Sequence, residues 1–298
     1  MVWDVLHIMK ITDKLKEEDF VVSFEVFPPK NDAPFEPVKN AVSKLSELNP
    51  SFMSVTYGAG GGVSNNTIDI ASYIENDLDT MALAHLTCVS SSRDEISDTV
   101  NKLKSKNINN ILALRGDIPK DMEFPNAGYY KYAYQLIEDI KSKDDGDFCI
   151  GAACYPEGHI ESNNKEKDIE FLKQKVDCGV DFLVTQMFFD NNVMYNFLYR
   201  ALANDINLPV FAGVMPVTNS RQIKRICELS GTNLTPRFKS IVDKFGDNPL
   251  ALKQAGIAYA TEQIIDLVAN GVKGIHLYTM NKPEVAEKIM ENISEILK

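Results

Sequence analysis

Ser23-Phe24-Glu25-Val26-Phe27-Pro28-Pro29 ends the first strand that the sequence predicts, and its reading sets that of the whole chain. The run from Val21 to Phe27 is β-branched and aromatic, and two prolines follow that cannot continue a strand ladder. Side chains on a strand alternate between faces, so Ser23, Glu25 and Phe27 share one face while Val22, Phe24 and Val26 share the other. Burying the second face points Glu25 into whatever the strand encloses. An unpaired carboxylate in an apolar setting holds its proton to higher pH, which suits a general acid. A glutamate salt-bridged inside a strand-lined core is the competing reading.

Working outward, the same unit recurs: a short β-rich run, a polar or Gly-rich loop, then a helical pattern. The expected strands are Val21–Phe27, Phe52–Tyr57, Met81–Cys88, Asn110–Arg115, Phe148–Cys154, Phe182–Phe188, Leu208–Met215 and Gly274–Thr279. Amphipathic segments separate them, and a longer gap before the eighth strand holds helical stretches at Thr235–Phe245 and Pro249–Asn270. A closing helix is expected over Pro283–Leu297. Strands alternating with helices imply a parallel sheet with right-handed crossovers, and eight such units imply a closed (β/α)8 barrel of the α/β class. No linker or charge run divides residues 1–298, so one barrel domain is expected, with a short helical lead-in within Met1 to Phe20.

Composition narrows the function. The chain is 44% hydrophobic and 24% charged, and its apolar runs fall far short of the ~20 residues needed to span a bilayer. A formal charge of -11 argues against a nucleic-acid binder, which needs a basic footprint. The five cysteines form no C-x-x-C pair and no histidine stands at ligand spacing, so no metal site is expected. An odd number of thiols and no signal-peptide pattern point to a reducing cytoplasm.

In a barrel the chemistry gathers at the C-terminal ends of the strands. Those ends read Glu25, Thr56 and Tyr57, His85 and Thr87, Arg115 and Asp117, Tyr155, Gln186 and Tyr278. The opposite halves, such as Val21-Val22 and Leu183-Val184, are apolar. Core packing alone does not produce such one-sided polarity, so an enzyme is expected. Arg115 and Asp117 lie two apart and enter the mouth together, either to serve a ligand or to stitch two loops by an ion pair. Gly58-Ala59-Gly60-Gly61-Gly62 feeds a helix start and is a loop able to cradle phosphate, or only a flexible one. Tyr155 and His159 precede a helix on which Asp168 and Lys175, seven apart, face one side, a set suited to a large polar aromatic cofactor or to a solvated helix face. Gln186 offers a paired donor and acceptor to a heterocycle edge or to the backbone.

Taken together, F-E-V-F-P-P, V-T-Y-G-A-G-G, A-H-L-T-C, L-R-G-D, A-A-C-Y-P-E-G-H, V-T-Q-M-F-F-D, G-V-M-P and G-I-H-L-Y-T-M-N occur in that order. This series resembles the bacterial-type methylenetetrahydrofolate reductase family, from about Val21 to about Lys282. The resemblance implies an FAD-containing barrel that reduces 5,10-methylenetetrahydrofolate to 5-methyltetrahydrofolate with a reduced nicotinamide, NADH or NADPH, in ping-pong fashion. It implies that Glu25 is the general acid and that Asp117 stabilises the cation formed when the folate ring opens. Gln186 would contact the pterin and, in the other half-reaction, the nicotinamide. FAD would be held at Thr56, Tyr57, Ala59, His85, Arg115, Gly116, Asp117, Tyr132, Ala133, Tyr155, His159, Asp168 and Lys175.

Three positions depart from the family pattern: Gln174 and Lys282 where relatives often carry Arg, and Ser220 near where they carry an aromatic. Lys282 would meet the folate tail, keeping the charge but losing the fork of an arginine. Two other readings stay open. A Schiff-base aldolase or lyase would need a lysine at a strand end, where only Lys30 and Lys282 lie just beyond. A non-catalytic folate- or flavin-binding subunit would work with a redox partner protein, as relatives in some anaerobes do. The exposed helical faces of an acidic barrel permit a homo-oligomer.

Overall fold

The computed structural model describes residues 9–29, 33–57, 65–118, 124, 128–143, 148–162 and 164–298. Eight strands close into one parallel barrel in sequential order: β1 (Val21–Val26), β2 (Phe52–Val55), β3 (Ala82–Thr87), β4 (Asn110–Leu114), β5 (Cys149–Cys154), β6 (Phe182–Thr185), β7 (Val210–Val214) and β8 (Gly274–Tyr278). All eight expected strands form. Several stop short of the expected C-terminal limit, as after β6 and β7, where Met187, Phe188 and Met215 pack into apolar clusters instead of extending the strands.

Helices cover the outside: α1 (Ile11–Glu17), α2 (Glu36–Ser46), α3 (Asn65–Asn76), α4 (Arg93–Ser105), α5 (Ala133–Lys143), α6 (Lys165–Asp177), α7 (Asn191–Ala203), α8 (Ser220–Ser230), α9 (Pro236–Phe245), α10 (Pro249–Ala269) and α11 (Pro283–Ile293). Local signals place their starts. Ser92 and Glu95 form a reciprocal capping box on α4, while Asn164, Asp190, Asn219 and Asn248 accept from the first turns of α6, α7, α8 and α10. Proline opens α9, α10 and α11, where its missing N–H costs nothing. Among the described residues no helix is long and apolar enough to cross a membrane.

Two cores result from strand alternation. Val22, Phe24 and Val26 join the large core between barrel and helices. Val21, Phe52, Phe182 and Phe211 point inward and fill the barrel floor. The ring centroids of Phe211 lie 5.2 Å from Phe52 and 5.5 Å from Phe182, in edge-on contacts. Beneath them α1 plugs the open bottom: Ile11 is fully buried and its backbone N–H donates to Asn110 Oδ1 at 3.0 Å. Burying each such ring stabilises by roughly 1.5–3 kcal/mol, so the lower barrel is a rigid plug and the upper barrel is left for polar groups.

Between β7 and β8 the chain inserts three helices where one would suffice. Phe238, Val242 and Leu252 from α9 and α10 pack with Met187, Phe189 and Met215 into a separate apolar cluster beside the mouth. This annex fixes the segments that follow β6 and β7.

Candidate active site at the barrel mouth

Above the phenylalanine floor, pairing register brings a polar group together. Glu25 pairs with Ser54 on β2 and with Tyr278 on β8, while Ser23, one turn of the pleat below, pairs with His276. Ser23, Ser54 and His276 are wholly buried. Ser23 Oγ lies 2.7 Å from His276 Nδ1 and 3.0 Å from the Ile275 carbonyl oxygen. Ser54 Oγ lies 3.2 Å from His276 Nε2. Glu25 Oε2 stands 3.6 Å from His276 Nε2 and 3.7 Å from His85 Nε2, with the Glu25 side chain 19% exposed. The alternation expected for the first strand therefore holds, but the apolar setting expected for Glu25 does not. Its neighbours are two imidazoles, because the inward positions of β3 and β8 carry histidine.

His85 is buried and its pKa falls to about 4: burial opposes the imidazolium, Glu25 favours it, and His276 opposes it again. It is thus neutral near pH 7, and its Nε2 has no hydrogen-bond partner. Tyr278 donates to the Thr185 carbonyl at 2.7 Å, and burial followed by Glu25 raises its hydroxyl pKa well above the ordinary value. Gly213 makes that contact possible, since a Cβ there would sit 2.5 Å from the Thr185 oxygen and 2.8 Å from the Tyr278 ring.

Loop bonds hold the Glu25 backbone. Thr279 Oγ1 donates to the Glu25 carbonyl at 2.7 Å, and the Asn281 side chain both accepts from Phe27 N–H at 3.1 Å and donates to Phe27 O at 2.9 Å. Asn281 sits at φ 53°, a left-handed conformation that asparagine tolerates.

A second cluster gathers where β4, β5 and α6 end or begin. Arg115 donates through both terminal nitrogens to Glu161, at 2.5 and 2.7 Å. This fork raises the Arg115 pKa and lowers that of Glu161. Of the two readings of Arg115 left open by the sequence, the loop-stitching ion pair is the one formed here, with Glu161 as its partner. Asp117 is exposed, and its charge is felt by Arg115 and by Tyr155. Gly116 takes φ 84° and presses on Thr87, where a Cβ would approach to 2.9 Å.

Tyr155 and His159 meet edge-on with centroids 4.6 Å apart. Burial, then Asp168, push the Tyr155 hydroxyl up to about 12. His159 Nδ1 accepts from the Glu161 backbone N–H at 3.1 Å, so its remaining proton sits on Nε2, and burial followed by Arg115 lowers its pKa. Asp168 accepts from Ser162 Oγ at 3.0 Å. Lys175 donates to the Ala153 carbonyl at 2.5 Å and lies 6.0 Å from the Tyr155 ring centroid, and burial lowers its pKa against the pull of Cys154 and Asp168. The seven-residue spacing of Asp168 and Lys175 does put both into one charge network.

Other expected site residues stand apart. Gln186 accepts with its own Oε1 from Met187 N–H at 2.9 Å, the backbone-satisfied alternative. Lys282 caps the start of α11 and donates to Thr218 Oγ1 at 2.6 Å. Thr56 serves through its backbone, donating to Val26 O and accepting from Thr67 Oγ1, and the half-buried Tyr57 packs on the main core. Tyr132 stacks on Tyr134 with centroids 6.0 Å apart, just before Ala133 opens α5. Ala59 and its Gly-rich loop, and Lys30, lie outside the described residues. Sequence reasoning passed over His276, Ser54 and Glu161. The signal for His276 was present: a histidine two residues before Tyr278 in an otherwise apolar strand shares its inward face.

The family model described as "Methylenetetrahydrofolate reductase" matches residues 10–294. The chain belongs to the methylenetetrahydrofolate reductase family. It is 32% identical over 272 residues to the 5,10-methylenetetrahydrofolate reductase of Escherichia coli (strain K12), covering 91% of this chain and 90% of that one. It is 33% identical over 303 residues to methylenetetrahydrofolate reductase (NADH) 1 of Arabidopsis thaliana, covering 97% of this chain and 51% of that one. The chain thus spans about half the length of the plant relative. Among solved structures, an uncharacterized Clostridium thermocellum protein that binds two copies of 5-methyl-5,6,7,8-tetrahydrofolic acid matches with a TM-score of 0.62 and 14% identity, over 97% of this chain and 99% of that one. A 2,3-dimethylmalate lyase matches with a TM-score of 0.54 and 12% identity, over 96% and 83%. At those identities both likenesses describe the barrel and nothing finer.

Proposed function

We propose that this chain is a methylenetetrahydrofolate reductase that uses FAD to reduce 5,10-methylenetetrahydrofolate to 5-methyltetrahydrofolate, with a reduced nicotinamide as donor. The observation that carries the reading is Glu25, a partly exposed carboxyl group at the barrel mouth, flanked by His276 and His85 at 3.6 and 3.7 Å in a chain of this family. The family-wide relatives include an enzyme named for NADH, which makes NADH the first donor to try.

The residues present fit a flavin dinucleotide. Arg115 and Lys175 supply two cations on neighbouring elements, against a net charge of -11 for the chain. An anionic group reaching Arg115 has to take the place of Glu161, whose side chain is 53% exposed and free to swing outward. Tyr155, His159 and Tyr132 offer aromatic surface, and the unpartnered Nε2 of His85 offers a polar contact where one is otherwise missing. Bound there, the flavin supplies hydride chemistry that no side chain can.

The protein's own share is position and proton handling. Glu25 delivers a proton to the folate nitrogen so that the methylene bridge opens, and the negative charge of Asp117 at the rim favours the resulting cation. Thr279 and Asn281 hold the Glu25 backbone while this happens. Gln186 turns from its own backbone to the pterin edge, and Lys282 meets the acidic tail of the substrate. We read residues 1–298 as one catalytic barrel, working in the cytoplasm.

The test is a visible absorbance spectrum of the purified protein, then anaerobic addition of NADH and of methylenetetrahydrofolate. Flavin bands that bleach with NADH and return with folate support the reading. A Glu25→Gln variant should keep the flavin and its bleaching by NADH but lose the return with folate. A protein that cannot be reconstituted with FAD sinks the proposal, and unchanged folate turnover in Glu25→Gln sinks the general-acid role.

A further inference from the structure

We propose that Thr232 and Asn233, adjacent residues of the annex between β7 and β8, are positioning residues that hold the ligand-contacting segments after β6 and β5 at a fixed separation. The inference rests on the proposed function for what those segments bind; the contacts themselves stand without it.

In a sequential barrel a connection from β7 to β8 has only those two strands to cover. Here it reaches sideways to the exits of β6 and β5. The segment leaving β6 presents three successive carbonyl oxygens, and each accepts from an annex side chain. Thr232 Oγ1 donates to Met187 O at 3.2 Å, Gln263 Nε2 to Phe188 O at 2.8 Å, and the Tyr259 hydroxyl to Phe189 O at 2.7 Å. Phe238 stacks on both Phe189 and Tyr259, with centroids 5.3 and 4.0 Å away. Apolar packing alone is non-directional, whereas bonds to three consecutive carbonyls fix where the chain runs. Gln186, whose Oε1 accepts from the Met187 N–H, stands at the start of this braced run.

One residue beyond Thr232, Asn233 serves the other segment. Its backbone N–H donates to Glu157 Oε1 at 3.0 Å and to Oε2 at 3.2 Å, and its Nδ2 donates to Oε2 at 2.6 Å. Both kinds of donor on Asn233 thus converge on one carboxyl group 76 residues away. Glu157 belongs to the loop after β5 that carries Tyr155, His159 and Glu161. The same loop is held at Pro156 O by Arg200 of α7, at 3.1 Å. Ile160 packs on Gly231, its side-chain atoms 3.6 to 3.8 Å from where a Cβ would stand. Gly231 ends α8 at φ 71°, a turn that glycine makes without strain, and the chain then delivers Thr232 to one segment and Asn233 to the next.

On the proposed reading, Gln186 contacts pterin and nicotinamide, while Tyr155 and His159 contact the flavin. Transfer between two bound rings requires the walls that hold them to keep a set distance. Two neighbouring residues, one bonded to each wall, form that strut. Asn233 is exposed, so changing its side chain leaves no group buried and unpaired at its own position.

Substitutions separate the two arms. Asn233→Asp sets two carboxylates against each other and should weaken FAD binding about tenfold in a fluorescence titration, with both substrate KM values within about twofold. Adding Glu157→Gln restores a donor–acceptor pair and should recover the affinity, whereas Glu157→Gln alone should weaken binding about threefold. Tighter FAD binding in Glu157→Gln alone would mean that only the charge near the cofactor counts, and overturns the strut. Thr232→Val keeps the shape but loses the donor to Met187 O. It should raise KM for folate and NADH about three- to tenfold with FAD affinity within about twofold, and Thr232→Ser should restore both KM values. Losses of the same kind in Asn233→Asp and Thr232→Val, or no loss in either, overturn the proposal. Amide hydrogen exchange reads the contacts with no ligand present. The Gly158, Glu161 and Ser162 amides, bonded within the loop, should exchange about tenfold faster in Asn233→Asp, and the Met187 amide in Thr232→Val, with β5 unchanged. If the unaltered protein takes up no FAD, the proposed function fails and the exchange rates still decide the strut: unaltered rates at those amides overturn it.

Discussion

Replacing His85 with asparagine should remove an acid-sensitive part of the protein's stability. Burial holds the His85 pKa at about 4, against 6.5 for the free side chain. Between those values the unfolded chain binds a proton that the folded chain refuses, so stability rises with pH across that window. The contribution is fully present above about pH 6.5 and is lost as pH falls toward 4. The gap of about 2.5 units, at 1.36 kcal/mol each, amounts to about 3 kcal/mol over the whole window. From pH 7.5 to pH 5, about 1.5 of those units are crossed, so about 2 kcal/mol should be lost by the wild type and kept by His85→Asn. Urea denaturation at half-unit pH steps, followed by circular dichroism, measures this as a difference in slope. Glu25→Gln adds a control with a defined sign: it removes the charge that favours the His85 cation, so the acid loss should grow. Parallel stability curves for wild type and His85→Asn would refute the reasoning, because they would mean that His85 takes up its proton equally in both states.

Two further outcomes follow from the same mouth. Asn281→Ala removes two hydrogen bonds to Phe27 and puts alanine at φ 53°. The sum is about 2–3 kcal/mol, seen as a fall of about 5 °C in Tm, and an unchanged Tm would show that the clasp carries no load. Glu161→Gln frees Arg115 from its fork. Since Glu161 is half exposed, the pair is worth no more than about 1 kcal/mol, and FAD should bind about two- to fivefold tighter in a fluorescence titration, with weaker binding counting against Glu161 as a competitor.

The architecture was legible because its signals are local and repeated. Eight β-rich runs alternating with helical patterns leave few topologies, and the closed sequential barrel is among them. Polar strand ends marked the correct rim, and Asp168 and Lys175 were placed together by helical spacing alone. The limits of the strands were less legible, since Met187, Phe188 and Met215 look like strand by propensity yet pack into apolar clusters beyond the ladder.

The sequence by itself determined that Glu25 faces the barrel interior, because the pleat has a period of two and Val22, Phe24 and Val26 need the core. Only the tertiary structure decided what Glu25 meets there. Register between β1 and β8 puts His276 beside Ser23 and below Glu25 across a sequence separation no local pattern encodes. In the same way, Arg115 and Asp117 are neighbours in sequence, yet the guanidinium turns to Glu161, 46 residues on. Covalent neighbours fix which face a side chain takes; the partner on that face is set by barrel closure, where segments far apart in the chain are brought within a hydrogen bond of each other.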